Sequence, residues 1–146
     1  MAALLCLSCL KKEEEEVTEL DYRHCSLDDV PNEIFAYERT LEVLRLDCNN
    51  IRDLPRPLFH CHGLKELNLA DNELGNIPPA VSSLALLTSL DVSKNVLTDL
   101  PETIKQCKHL AVVQVQSVSI TKNRIKKPLV MHKVKIDQLQ LLSLLK

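Results

Sequence analysis

The sequence predicts an α/β repeat architecture: a curved solenoid with short parallel strands on the concave face and loops or short helices on the convex face. Three observations predict it. Residues 41–55 read LEVLRLDCNNIRDLP, residues 64–78 LKELNLADNELGNIP and residues 87–101 LTSLDVSKNVLTDLP, one pattern restarted every 23 residues. Within a copy, apolar side chains two apart, such as Leu44 and Leu46, share one face of an extended segment, and Arg45 between them points the other way. The core has to be aliphatic, because aromatic residues make up 3% of the chain and Trp is absent.

The full frame is L-x-x-L-x-L-x-x-N-x-L-x-x-L/I-P, restarting at Leu41, Leu64, Leu87 and Leu110. Its period is that of a leucine-rich repeat, whose units bury their apolar faces only by stacking on neighbours. A degenerate first copy starts at Val17, where Leu20, Tyr22, Cys25, Leu27, Val30 and Pro31 fill the same slots 24 residues before the second. Asn49, Asn72 and Asn95 follow the strands where the chain turns. An amide carries both donors and an acceptor, so a ladder of them can satisfy backbone groups between coils. Cys25 fills that slot in the first copy. Pro55, Pro78 and Pro101 fix φ and end the extended run. Beyond them Leu58, Val81 and Ile104, each with a partner three residues later (Cys61, Leu84, Cys107), have the helical spacing of a convex wall.

The pattern divides the chain into an N-terminal segment, 1–16, about four and a half repeats over 17–121, and a divergent tail, 122–146. In the fifth copy Leu110, Val113, Val115 and Ile120 fit, but Val118 holds the Asn slot and Asn123 and Arg124 replace Leu-Pro. A slipped register through Val115, Val118, Ile120, Asn123 and Ile125 half-fits, so a strand is expected only to about Val115. The tail then carries Lys122, Arg124, Lys126, Lys127, Lys133 and Lys135 with no acid until Asp137. Ile136, Leu139, Leu142 and Leu145 recur every three residues, compatible with a short amphipathic helix. The tail reads as a cap over the open end of the solenoid or as a frayed end, with a basic membrane-touching segment as the alternative.

Several chemistries find no support. Gly63 and Gly75 are the only glycines, so there is no Gly-rich phosphate loop and no cofactor is expected. A net charge of −2 argues against a broad nucleic-acid surface. The six cysteines sit in a chain too long and too Leu-rich for a disulfide scaffold, and a reducing, cytoplasmic setting is expected. The start lacks the basic region of a secretory signal, and no apolar run reaches the roughly 20 residues of a membrane span. His60-Cys61-His62 invites a metal reading, but Cys61 falls in the buried convex slot matched by Leu84 and Cys107. Cys6-Leu7-Ser8-Cys9 has CxxC spacing without a second pair at zinc-finger distance. No metal site is expected. No Ser, Cys or His stands in a nucleophile–base pattern, so an enzyme is not expected.

The informative surface is the one that strand alternation turns outward. Its central column is Asp21, Arg45, Asn68, Asp91 and Gln114. Glu19, Arg23, Val43, Asp47, Glu66, Ala70, Ser89, Ser93, Val112 and Gln116 flank it. This mixed, mostly polar or small surface reads as a concave protein-binding face, with ordinary solvated strand residues as the alternative.

The stretch LDYRHCSLDDVPNEIFAYERTLEVLRLDCNNIRDLPRPLFHCHGLKELNLADNELGNIP resembles the opening repeats of the LAP (Erbin/Densin/Scribble-like) family, which joins leucine-rich repeats to PDZ domains. The first copy DYRHCSL…VP, the ERTLE junction and LFHC are more particular than the generic repeat, and the likeness runs from about residue 5 to 115. The resemblance implies an intracellular scaffold of cell polarity, junctions, receptor localisation and, in part, synapses, on the cytoplasmic face of the basolateral membrane. It also implies S-acylation of a cysteine pair before the repeats, which Cys6 and Cys9 match in placement. The chain departs from the family in its few repeats, in lacking a PDZ domain and in leaving the pattern after Val115. A truncated or alternative form is therefore expected. Two other readings stand beside the scaffold: a regulatory subunit of a Ras-type or phosphatase signalling complex, and a short form without independent function. Oligomeric state is not legible.

Overall fold

The computed structural model describes residues 16–116 and 130–135. Its strands are β1 (Glu19–Asp21), β2 (Val43–Arg45), β3 (Glu66–Asn68), β4 (Ser89–Asp91), β5 (Val112–Gln116) and β6 (Val130–Lys135). They form one sheet in chain order, parallel from β1 to β5. Coils of 24 and then 23 residues hold the register without slippage, so Leu20, Leu44, Leu67, Leu90 and Val113 stand side by side. A slip of one residue would turn this whole row outward.

The inward row joins a continuous aliphatic core. Leu41, Leu44, Leu46, Leu64, Leu69 and Leu87 are fully buried, and Val92 is nearly so. The convex wall is made of short 3-10 helices at Asn32–Tyr37, Arg56–His60, Pro79–Ser83 and Glu102–Gln106. Three of them follow the repeat prolines Pro55, Pro78 and Pro101, whose extended ψ marks the corner. In a 3-10 helix, side chains three apart eclipse. That geometry sends Leu58 with Cys61, Val81 with Leu84, and Ile104 with Cys107 inward together, and all six are buried. The Cys61, Leu84 and Cys107 amides close the helices on Leu58, Val81 and Ile104 carbonyls at 3.1–3.2 Å.

Each of β1 to β4 leaves the sheet through a residue in the left-handed region. His24, Cys48, Asp71 and Lys94 occupy equivalent positions with φ of 53–59°, and none is glycine. Such a residue costs roughly 1–2 kcal/mol, so the stacked turns on either side must hold the chain there.

β6 pairs antiparallel with β5, from Val112↔Lys135 to Gln116↔Val130, with a register irregularity between Val113 and Val115. This strand departs from the repeat frame, which gives no extended segment there. An antiparallel return occupies the edge of β5 where another parallel coil would otherwise stack. The helical pattern of 136–146 and the cysteines Cys6 and Cys9 lie outside the described residues.

Candidate protein-binding face

Behind the face, three asparagines tie the coils together. Asn49, Asn72 and Asn95 are only 7%, 7% and 4% exposed. The Asn72 Nδ2 donates to the Leu46 carbonyl of the preceding coil at 2.9 Å and to Leu69 of its own at 3.1 Å. Its Oδ1 accepts the Ile51 N–H at 3.0 Å. Asn95 repeats this on Leu69, Val92 and the Leu74 N–H. Asn49 reaches the first coil, accepting from Cys25 and Leu27 and donating to Tyr22. Cys25 makes no such bridge; its thiol sits 3.4 Å from the Arg23 carbonyl and is exposed.

On the concave side, the pairing register sets Asp21, Arg45, Asn68, Asp91 and Gln114 in one row across β1–β5. Glu19, Val43, Glu66, Ser89 and Val112 form the adjacent row. Asp21 and Glu66 are exposed, whereas Arg45, Asn68, Asp91, Gln114 and Asp47 are half-buried. Arg23 follows Asp21 around the turn and is exposed.

The structure adds a role that the repeat pattern did not suggest. Asp21, Asn68 and Asp91 each accept the backbone N–H two residues on, from Arg23, Ala70 and Ser93, at 2.9–3.1 Å. These are side-chain turns that ease the chain off the sheet. The preference of Asp and Asn for such turns was the available signal. Part of the central row is therefore turn chemistry, in which, among the described residues, neither Gln114 nor Arg45 takes part. The Arg45 guanidinium instead reaches across to Glu19 at 3.3 Å.

Arg23 folds back on Asp21, with Nη2–Oδ2 at 2.6 Å and Nε–Oδ1 at 2.9 Å. That pairing, with the Arg23 amide, holds the Asp21 carboxyl down at about 2. The same pair raises Arg23 further above its ordinary value. Burial, then Asp71 and Asp47, pushes the Cys48 thiol up; it lies 3.7 Å from Asp71 Oδ2. Burial also pushes up Cys61 and Cys107. These thiols are set up for packing rather than for nucleophilic work.

His60 and His62 are exposed, with ring centroids 6.5 Å apart, while Cys61 between them is buried. The His62 Nδ1 lies 3.1 Å from the Ser83 carbonyl and so donates to it. The three side chains of this motif do not converge. Among the described residues no group of three or more His, Cys, Asp or Glu is placed to hold a metal ion, and no helix is long and apolar enough to cross a membrane.

Stacked coils, an inward leucine row and an asparagine ladder define a repeat solenoid. The leucine rich repeat model matches residues 15–74 and 39–97, and the chain belongs to that family. More particularly, it is similar to Leucine-rich repeat-containing protein 7 (Densin) of Homo sapiens, 51% identical over 79 residues, 54% of this chain and 5% of that protein. It is also similar to Erbin of Homo sapiens, 58% identical over 60 residues, 41% of this chain and 4% of that protein. Both are LAP proteins, so the resemblance read from residues 20–78 holds. The chain spans about a twentieth of the length of these curated relatives. Among solved structures, a leucine-rich repeat protein of Leptospira interrogans matches with a TM-score of 0.55 and 26% identity, over 69% of this chain and 33% of that one. An internalin of Listeria monocytogenes matches with a TM-score of 0.57 over 68% and 27%, at 21% identity, which speaks to the fold alone.

Proposed function

We propose that this chain is a non-enzymatic protein-interaction module of a scaffold or adaptor, with the concave face as its binding surface. The observation that carries this reading is the in-register row of Asp21, Arg45, Asn68, Asp91 and Gln114, outward side chains that the core does not need. Arg45, which forgoes the turn hydrogen bond that Asp21, Asn68 and Asp91 make, is the charged member of the row that the turns do not account for. The similarity to Densin and Erbin supports a role in polarity, junction organisation, receptor localisation and synapses, on the cytoplasmic face of the basolateral membrane. In this reading 17–121 form the interaction unit, 1–16 carry the membrane address and 122–146 are a divergent basic tail.

Cys6 and Cys9 are the proposed acylation sites. One acyl chain gives marginal membrane binding and two give stable anchoring, at roughly 0.8 kcal/mol per buried CH₂. Acyl-exchange labelling should vanish in the Cys6→Ser/Cys9→Ser protein, and an unchanged membrane fraction would reject the anchor. For the face, Arg45→Glu with Asp91→Lys is compared with wild type by affinity capture, each variant first checked for native circular dichroism. Loss of the captured set supports the reading. A set unaltered by charge reversal, or no capture by wild type, counts against it.

A further inference from the structure

We propose that the concave face receives a basic segment of a partner protein, with its Arg or Lys side chains seated around Asn68 between Asp47, Glu66 and Asp91. This rests on the reading of the concave face as the binding surface and adds the chemistry of what binds.

The face carries five carboxylates, Glu19, Asp21, Asp47, Glu66 and Asp91, against two guanidinium groups, Arg23 and Arg45. Both cations are already engaged at the β1–β2 end, Arg23 with Asp21 and Arg45 with Glu19. Arg23 also feels the charge of Asp47, but its hydrogen bonds go to Asp21. Lys65 pairs with Glu42 and Arg52 with Glu73, neither acid belonging to this face. Among the described residues Asp47, Glu66 and Asp91 are left without an ion pair.

These three surround Asn68. Asp91 is its register partner on β4, and Glu66 precedes it by two on the same strand. Asp47 lies two residues beyond its register partner on β2, Arg45. Strand spacing and pleat put Asp91 and Glu66 about 5–7 Å from Asn68, and Asp47, on the diagonal, about 7–8 Å from it, so successive cationic side chains of one segment can meet them. Ala70, Ser89 and Ser93 around them are small, which leaves room for an incoming backbone.

Asp47 supplies an observation independent of charge counting. Its Oδ1 is closed off from solvent and, among the described residues, accepts no hydrogen bond. A carboxylate shut in on one side without a donor has lost hydration that nothing replaces, so a cation on its open side gains more than at a fully wet carboxylate. Asp91 uses Oδ1 for its turn, accepting from the Ser93 N–H, and makes no other hydrogen bond among the described residues. A concave wall with an excess of carboxylates, whose two cations are held at Asp21 and Glu19, also concentrates oppositely charged groups. An acidic segment would meet like charge at all three positions.

The test follows backbone amide resonances of the isotope-labelled full chain on titration with an alternating Arg–Ser peptide. Alternating Glu–Ser and Gln–Ser peptides are titrated in parallel. The Arg–Ser peptide should move the amides of 45–47, 66–70 and 89–93 and bind more weakly as salt is raised. Asp47→Asn/Glu66→Gln/Asp91→Asn should weaken it at least tenfold, about 1.4 kcal/mol. Asn is the residue of the same slot in β3, so Asp91→Asn keeps the turn. Glu73→Gln, off the face, should bind as wild type does. Arg–Ser binding that maps elsewhere, or survives the triple change, overturns the proposal. If Glu–Ser or Gln–Ser moves these amides and Arg–Ser does not, the basic partner is refuted while the concave face stands as a binding surface. If no peptide moves them, the basic partner is likewise refuted, and the capture experiment with Arg45→Glu/Asp91→Lys decides separately on the face.

Discussion

Replacing Asn72 with alanine isolates what the ladder contributes. The Leu46 carbonyl accepts from Asn72 but also from Asn49, and the Leu69 carbonyl accepts from Asn72 but also from Asn95. Removing Asn72 therefore leaves both carbonyls with a donor. The Ile51 N–H has no such reserve; Asn72 Oδ1 is its one acceptor among the described residues. An orphaned buried donor costs about 1–3 kcal/mol, and the lost side-chain donor bonds a further ~0.5–1.5. Asn72→Ala should lose about 2–4 kcal/mol, a large share of a small domain's total stability. Urea unfolding followed by far-ultraviolet circular dichroism reads this as a fall in midpoint at constant slope. Asn72→Asp keeps the shape but has only acceptors when ionised. It faces the Leu46 and Leu69 carbonyls without a donor, so it should be at least as damaging at neutral pH and recover on acidification. If Asn72→Ala loses less than about 1 kcal/mol, or Asn72→Asp is harmless at neutral pH, the ladder fills volume and the hydrogen-bond account is wrong.

The left-handed residues invite glycine. At Cys48 and Lys94, relief of roughly 1–2 kcal/mol of backbone strain outweighs the 0.5–1 kcal/mol entropic cost of glycine, so each substitution should raise stability by up to about 1 kcal/mol in the same urea assay. Because Asp21 titrates near 2, well below an unfolded aspartate near 3.9, its ionised form favours the fold. That contribution is fully present above about pH 4 and fades as pH falls through about 2. The carboxyl resonance of Asp21 should titrate near 2 in wild type and rise toward the ordinary range in Arg23→Gln, which keeps the backbone amide bond but not the guanidinium. Pulse alkylation near neutral pH should label exposed Cys25 and spare Cys61 and Cys107, whose thiols are buried and pushed up, until denaturant is added.

The solenoid was legible because one physical constraint is written several times over. A leucine at 44, 67 and 90 in equal-length copies leaves one register and one inward face. The turn duty of Asp21, Asn68 and Asp91 was hidden, since the same residue types also suit a binding surface and only the bond to the amide two residues on separates the two. The ion pairs of Arg23 and Arg45 were hidden for a different reason. Arg45 meets Glu19 from 26 residues earlier, and long side chains have many reachable partners. β6 was missed because antiparallel return needs no repeat, and Val130–Lys135 matches no slot of the frame. The orphaned Oδ1 of Asp47 depends on burial at atomic detail, which spacing alone does not encode.

The claim on which the functional account turns is that the hollow side of the coils is where partners bind. A photo-crosslinking amino acid placed at Asn68, at the centre of the concave row, and separately at Lys105, exposed on the convex 3-10 helix of 102–106, tests it directly in cells. The account expects discrete crosslinked species from position 68 that disappear with Arg45→Glu/Asp91→Lys, and none from position 105. Crosslinks from position 105 with none from position 68 would contradict it.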